Sequence, residues 1–346
     1  MRKLTAGSWV GAAITLAVVA AFGATPARAG ATLDKIKQAG SFSCGVSTGI
    51  AGFSQPDSQG NYNGLDVDVC RALSAALFGD PGKVKYVPLT AQQRFTALQS
   101  GEVDILSRNT TWTLQRDAEL GIDFAPVVYY DGQGFMVAKK LGVKSAKELN
   151  GATICVQPGT TTELNLADYF RANKMTFKPL VVEKLDELLS AFFGGRCDVF
   201  TTDRSQLAAI RVSRASSPDD YVILPEVISK EPLAPAVRQG DDQWHDVVDW
   251  VVFALLDAEE KGITSKNVDD MAKSDDPEIK RMLGVTPGLG KTLGLDEKWA
   301  YNIVKLVGNY GEIFDRNVGQ GSALKLERGI NNLWTKGGIL YGMPIR

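Results

Sequence analysis

The sequence predicts an α/β fold built as two similar lobes, and three observations carry that expectation. Strand-like runs alternate with helix-like runs from residue 42 onward, the pattern of a parallel sheet covered by helices. The same succession is then written a second time. A long amphipathic segment follows the second copy, placed to return the chain to the first.

In the first series, 42–47, 84–89 and 103–106 read as strands, and 66–78 and 92–100 as helices. Within 66–78, Val69, Cys70, Leu73, Ala76 and Leu77 recur at helical spacing, with Asp66 before them as the expected N-cap. The second series gives strands at 153–157, 177–182 and 198–202 and helices at 161–172 and 186–193. Its likeness to the first reaches single residues: Gly101-Glu102-Val103-Asp104-Ile105 is matched by Gly195-Arg196-Cys197-Asp198-Val199.

After the second series, 234–238 reads as extended and 244–260 as a helix, with Val247, Val248, Val251, Val252, Leu255 and Leu256 on its apolar face. Sending that helix back to the first lobe divides the chain into lobe one, 30–136 with 233–261, and lobe two, 137–232. Two crossings, near 132–139 and 227–238, then form a hinge with a cleft between the lobes. Ligands of open α/β sheets bind outside the carboxyl ends of the strands. The remaining stretch, 262–346, exceeds what this fold needs; 299–314 reads as one helix, with Ile303, Val304, Leu306 and Val307 turned inward, that packs the extension on lobe one.

Ahead of the fold, Arg2 and Lys3 precede the apolar run 10–22 and then Ala27-Arg28-Ala29. This reads as a secretory leader cut after Ala29, since a membrane span needs about 20 apolar residues. Without Arg2, Lys3 and Arg28 the basic count falls from 38 to 35 against 40 acidic residues, a net charge of −5, which argues against a nucleic-acid partner. In an exported chain the four cysteines, Cys44, Cys70, Cys155 and Cys197, are expected to pair rather than bind metal or act as nucleophiles. Three pairings are possible; Cys44–Cys70 with Cys155–Cys197 is favoured because each bridge stays within one series, and four buried thiols are the other reading. The single histidine, His245, falls on the amphipathic helix away from any cleft motif, so no metal set assembles and no cofactor is expected. Gly284-Val285-Thr286-Pro287-Gly288-Leu289-Gly290-Lys291-Thr292 has one residue too many for a phosphate loop and follows no hydrophobic strand.

The stretch Ser107-Arg108-Asn109-Thr110-Thr111-Trp112-Thr113-Leu114-Gln115-Arg116-Asp117 ends the third strand with four hydroxyls and two arginines. Thr113 can cap a short helix over 114–120, which puts Arg116 in its first turn, against the helix dipole. A bound carboxylate resolves that conflict, held by the Arg116 fork and by Thr111; pairing of Arg116 with Asp117 or Glu119 is the plainer reading. In the second series Asp203 stands where Asn109 stands in the first, so it should face lobe one and suit an ammonium. Capping the helix that follows is its plainer role. Gly159-Thr160-Thr161, after the strand at 153–157, adds hydroxyls. Together these groups would hold a zwitterion.

With these motifs in their order the chain resembles the polar amino-acid-binding family of periplasmic solute-binding proteins, the receptors of ABC importers. Gly64-Leu65-Asp66-Val67-Asp68-Val69 is similar to the family's Gly-aromatic-Asp-apolar-Asp-apolar signature, with Leu65 departing from the aromatic. Thr113 to Arg116, Gln157-Pro158-Gly159-Thr160-Thr161, and Asp198 with Asp203 continue the match, and the long C-terminal extension most resembles the general, broad-specificity receptors. The resemblance implies a two-lobed closing fold in which Arg116 and Thr111 hold the α-carboxylate and Asp203 the α-ammonium, with Thr160 or Thr161 assisting. It further implies that Arg94 approaches an acidic or amide side chain, that Ser47 and Ile50 stand at the ligand where relatives select cationic or aromatic side chains, their plainness favouring acidic, amide or small polar ones, and that the partners of an expected monomer are an inner-membrane permease and its ATPase. Two rivals use the same fold. A periplasmic dehydratase or lyase would recruit Glu163 or Asp203 as general acid and would turn ligand into product; a sensor or adaptor would lack a neighbouring permease.

Overall fold

The computed structural model describes residues 30–346; the expected leader and its cleavage point lie outside the described residues. Two five-stranded sheets carry the fold, and they have the same plan. In the first the order is Val84–Pro88, Phe42–Val46, Ile105–Leu106, Ala236–Arg238, Ile122–Phe124, with the first three parallel and Ala236–Arg238 antiparallel to both of its neighbours. In the second it is Lys178–Val181, Thr153–Val156, Val199–Asp203, Gln133–Ala138, Tyr221–Ile223, again with one crossing strand inserted antiparallel. The crossings themselves pair as a short antiparallel ribbon, Tyr129–Asp131 against Glu231–Leu233. The first crossing therefore falls before the boundary expected at 136, because Gln133–Ala138 hydrogen-bonds to the second sheet.

The single-residue likeness has a physical cause. Gly101 and Gly195 end their helices' turns at φ 79° and 76°, a conformation that only glycine adopts freely. Three residues later Asp104 accepts the Ser43 amide at 2.9 Å and Asp198 accepts the Thr153 amide at 2.8 Å. Each carboxylate thus pins the entry of the neighbouring parallel strand.

Asp66 is not the N-cap of its helix. The helix Leu65–Phe78 begins one residue earlier, after Gly64 at φ 137°, where an added Cβ would lie 2.0 Å from the Phe53 carbonyl oxygen. Asp66 sits inside the first turn, where its carboxylate accepts the Asn109 amide, whereas Asp68 faces the extension, taking Arg71, Arg316 and Asn317. Both favoured disulfides are present, Cys44–Cys70 and Cys155–Cys197, spanning 26 and 42 residues; loop entropy gives each about 3.5 to 4 kcal/mol. The first ties the helix Leu65–Phe78 to its sheet, and the second ties the strand Thr153–Val156 to the turn before Val199–Asp203.

The helix Asp242–Glu260 packs on lobe one with its six expected apolar residues buried. Residues 299–314 do not form one helix: Gly308, at φ 98°, separates Trp299–Leu306 from Tyr310–Asn317, and Asn309 with Glu312 builds a capping box for the second. Both pieces pack on lobe-one helices. The extension also reaches the first crossing, where Asn331 exchanges two hydrogen bonds with the Tyr130 backbone and Phe314 stacks on Tyr129. The phosphate-loop decoy is filled from within, since the amides of Gly288, Gly290 and Lys291 all donate to the Glu297 carboxylate.

Candidate functional site

The carboxyl ends of both parallel strand sets meet across a narrow cavity of about 20 Å³. Lobe one contributes Arg94, Arg108, Asn109 and Thr111; lobe two contributes Gln157, Thr160, Thr161, Thr162, Thr202, Asp203 and Gln206. This volume is near that of one water molecule, and the lobes touch around it. Thr90 donates to Glu183 at 2.7 Å, Arg94 to the Gly159 carbonyl at 3.4 Å, and Asn109 to Gln206 at 3.5 Å.

The hydroxyl-rich stretch divides its work. Ser107 donates to the Asp66 carbonyl, Thr110 to the Arg108 carbonyl, and Thr113 caps the helix Leu114–Glu119 by accepting the Arg116 amide. Thr111 alone of the four lines the cavity. Arg116 is buried and lies just behind it: its Nη1 donates to the Thr111 carbonyl at 2.8 Å and its guanidinium stands 5.1 Å from the Phe95 ring centroid.

Ser47 is not brought to the site. It is buried, donating to the Ser54 carbonyl and accepting from Ser54 Oγ, which closes a turn inside lobe one. Thr160 caps the helix Thr161–Ala172 and donates to the Gln157 carbonyl while lining the cavity. Glu163, the acid a lyase would need, accepts the Gly159 amide at 3.1 Å. Asp203 opens the helix Arg204–Arg214 yet makes no capping bond, so its carboxylate is left for the cleft.

Two residues that sequence reasoning passed over organise the centre. Glu231, in the second crossing and 1% exposed, accepts from Thr111 at 2.5 Å and Thr161 at 2.8 Å on one oxygen, and from Asn165 and Ser229 on the other. It thereby clamps both lobes through the hydroxyls expected to meet a ligand carboxylate. Asp131, in the first crossing, accepts the amides of Gly132 and Ser205 beside Asp203. For Asp131 the readable signal was a lone acidic residue in the otherwise uncharged run 129–138.

Electrostatically the site holds groups at a cost. Burial, with Arg116 and Arg108 nearby, pushes Arg94 well below the usual arginine range, and burial brings Arg108 and Arg116 down to about 10. Burial, reinforced by Asp131 and Glu231, pushes Asp203 well above the carboxylate range, against the pull of Asn109 and Arg94. Two of the three cations line one wall with Arg116 just behind it, and no ion pair is made by the opposing carboxylate among the described residues.

Burial also raises Asp66, Asp131 and Asp249 to about 6 and Asp257 to about 7. A carboxyl raised on folding binds more protons in the native state than in the unfolded one. Its contribution is present below about pH 4 and lost as pH rises through the folded value. The melting midpoint is therefore expected to be higher at pH 5 than at pH 8 in calorimetric scans; a midpoint that climbs with pH across that interval would contradict these assignments.

Two sheet-and-helix lobes joined by paired crossings, with opposite buried charges converging on the cleft between them, are the architecture of a solute receptor. The chain belongs to the bacterial extracellular solute-binding proteins, family 3, whose model matches residues 42–267. It is 59% identical to the general L-amino acid-binding periplasmic protein AapJ of Rhizobium johnstonii, over 95% of this chain and 97% of that one. It is 54% identical to the glutamate/glutamine/aspartate/asparagine-binding protein BztA of Rhodobacter capsulatus, over 92% and 95%. Among solved structures, an ABC transporter periplasmic binding protein from Brucella ovis with glutathione bound superposes with a TM-score of 0.89 at 58% identity, covering 91% of this chain and 99% of that chain.

Proposed function

We propose that this chain is the exported substrate-binding protein of an ABC importer for polar L-amino acids, acidic, amide or of broad range, and that it closes on the zwitterionic head group. One observation carries the reading: within a single interlobe cleft, buried guanidinium groups of lobe one oppose the uncapped carboxylate of Asp203 on lobe two. Arg116 and Thr111 take the α-carboxylate, Asp203 the α-ammonium with Asn109 beside it, and Thr160 or Thr161 assists. Arg94 reaches the side chain. Support comes from relatives that bind general L-amino acids, or glutamate, glutamine, aspartate and asparagine, and from a neighbour holding glutathione, whose γ-glutamyl end is such a head group.

Because the cavity is too small for an amino acid, entry parts the interlobe contacts, and the ligand restores the shut form by binding it better than the open form. The lobes then replace one another's contacts with ligand contacts, and no covalent bond is made or broken. The mature monomer, released after Ala29 into the periplasm, presents its closed form to a permease and its ATPase. Calorimetric titration with the twenty amino acids tests this: micromolar binding, about −8 kcal/mol, is expected for several polar ones without product formation, and no binding by any of them would refute it.

A further inference from the structure

The cleft holds more buried cation than an amino-acid head group uses. Beyond Arg116, both Arg94 and Arg108 line the cavity, at 3% and 5% exposure. Nε of Arg94 and both Nε and Nη1 of Arg108 are buried with no hydrogen-bond acceptor among the described residues. A buried charged donor without an acceptor forfeits its hydration for nothing, so such groups mark the place of a partner.

The protein's own carboxylates do not fill that place. Asp66 lies behind Arg108 and offsets part of its charge, but its Oδ2 accepts the Asn109 amide, and no ion pair joins it to Arg108 among the described residues. Glu231 is saturated by three hydroxyls and one amide. Asp203 opposes the cations from lobe two and is the group assigned to the ligand's ammonium.

We infer that Arg108, acting beside Arg94, is a specificity-determining residue that holds a second carboxylate, on the ligand's side chain. This rests on the amino-acid reading above and narrows it to a preference for dicarboxylic α-amino acids. The two guanidinium groups approach from separate elements, Arg94 from the helix Gln93–Ser100 and Arg108 from the turn after Ile105–Leu106, so they can grip one carboxylate from two directions with charge-assisted bonds. A side-chain amide offers the same donors one neutral acceptor.

The test is calorimetric titration of the full mature chain and of its Arg108→Met and Arg108→Lys variants with L-glutamate and with L-glutamine. In Arg108→Met the affinity for glutamate falls about 10- to 100-fold, the worth of a charged hydrogen-bond partner, while that for glutamine changes less than about threefold. Arg108→Lys, which keeps the cation beside Asp66 and serves should the methionine variant fail to fold, shows the same selective direction with a smaller loss. Equal losses for the two ligands, or no loss for either, would show Arg108 to be structural only and overturn the inference while leaving the amino-acid reading standing. A wild-type chain that binds neither ligand would overturn both.

Discussion

Arg116→Met removes measurable amino-acid binding. The guanidinium is the cation assigned to the α-carboxylate, and its Nη1 also fixes the carbonyl of Thr111, so one substitution takes away the charge and loosens the hydroxyl beside it. Removing one partner of a buried charge pair costs about 3 to 5 kcal/mol, or roughly a 200- to 5000-fold loss. That would carry a micromolar ligand beyond ordinary calorimetric detection, for every amino acid alike. Methionine keeps an apolar stem over Phe95, and thermal melting should stay close to wild type. Undiminished affinity would place the anion site elsewhere, with Arg94 and Arg108 as the nearest candidates.

Asp203→Asn separates binding from stability. Burial, reinforced by Asp131 and Glu231 beside it, holds the carboxylate well above its usual range, so its ionised form strains the empty protein. Above its raised pKa the ionised group opposes folding. The neutral amide should therefore raise the melting midpoint at pH 8, well above the range in which an unfolded aspartate gives up its proton. The same change removes the anion that pairs with the ligand's ammonium and weakens all amino acids by about 100-fold or more, as expected for a lost buried charge partner. A variant that melts lower and binds as well as wild type would mean that Asp203 is a structural carboxylate.

Much of this organisation was legible because it is local or repeated. Gly101 with Asp104 and Gly195 with Asp198 perform one task in each lobe, so their spacing survives as a sequence signal. Thr113 and Thr160 act within three residues of themselves, as caps must. The disulfide pairing followed from keeping each bridge within its own series.

What escaped is what only tertiary convergence creates. Glu231 takes two of its three hydroxyls from residues 120 and 70 positions away, and nothing in its own neighbourhood announces that both lobes meet there. Arg108 stands in the most conspicuous stretch of the chain, yet periodicity does not tell a cleft-facing arginine from a solvated one. Ser47 was misplaced for the converse reason, as its partner Ser54 closes a turn that strand patterning does not reveal. The helix break at Gly308 was passed over because the apolar spacing of 299–314 continues across it, while the left-handed backbone there does not. Gly64, by contrast, marks a place where backbone approaches backbone, and that crowding moves the helix start ahead of Asp66.

The central claim is that two opposite fixed charges, one from each lobe, clasp the head group of an amino acid. The structure of a co-crystal with L-glutamate tests it most directly. The account predicts the α-carboxylate on Arg116 and Thr111 and the α-ammonium on Asp203, with the lobes closed over both. A ligand bound outside the cleft, or one inside it with Arg116 and Asp203 both turned away, would contradict it.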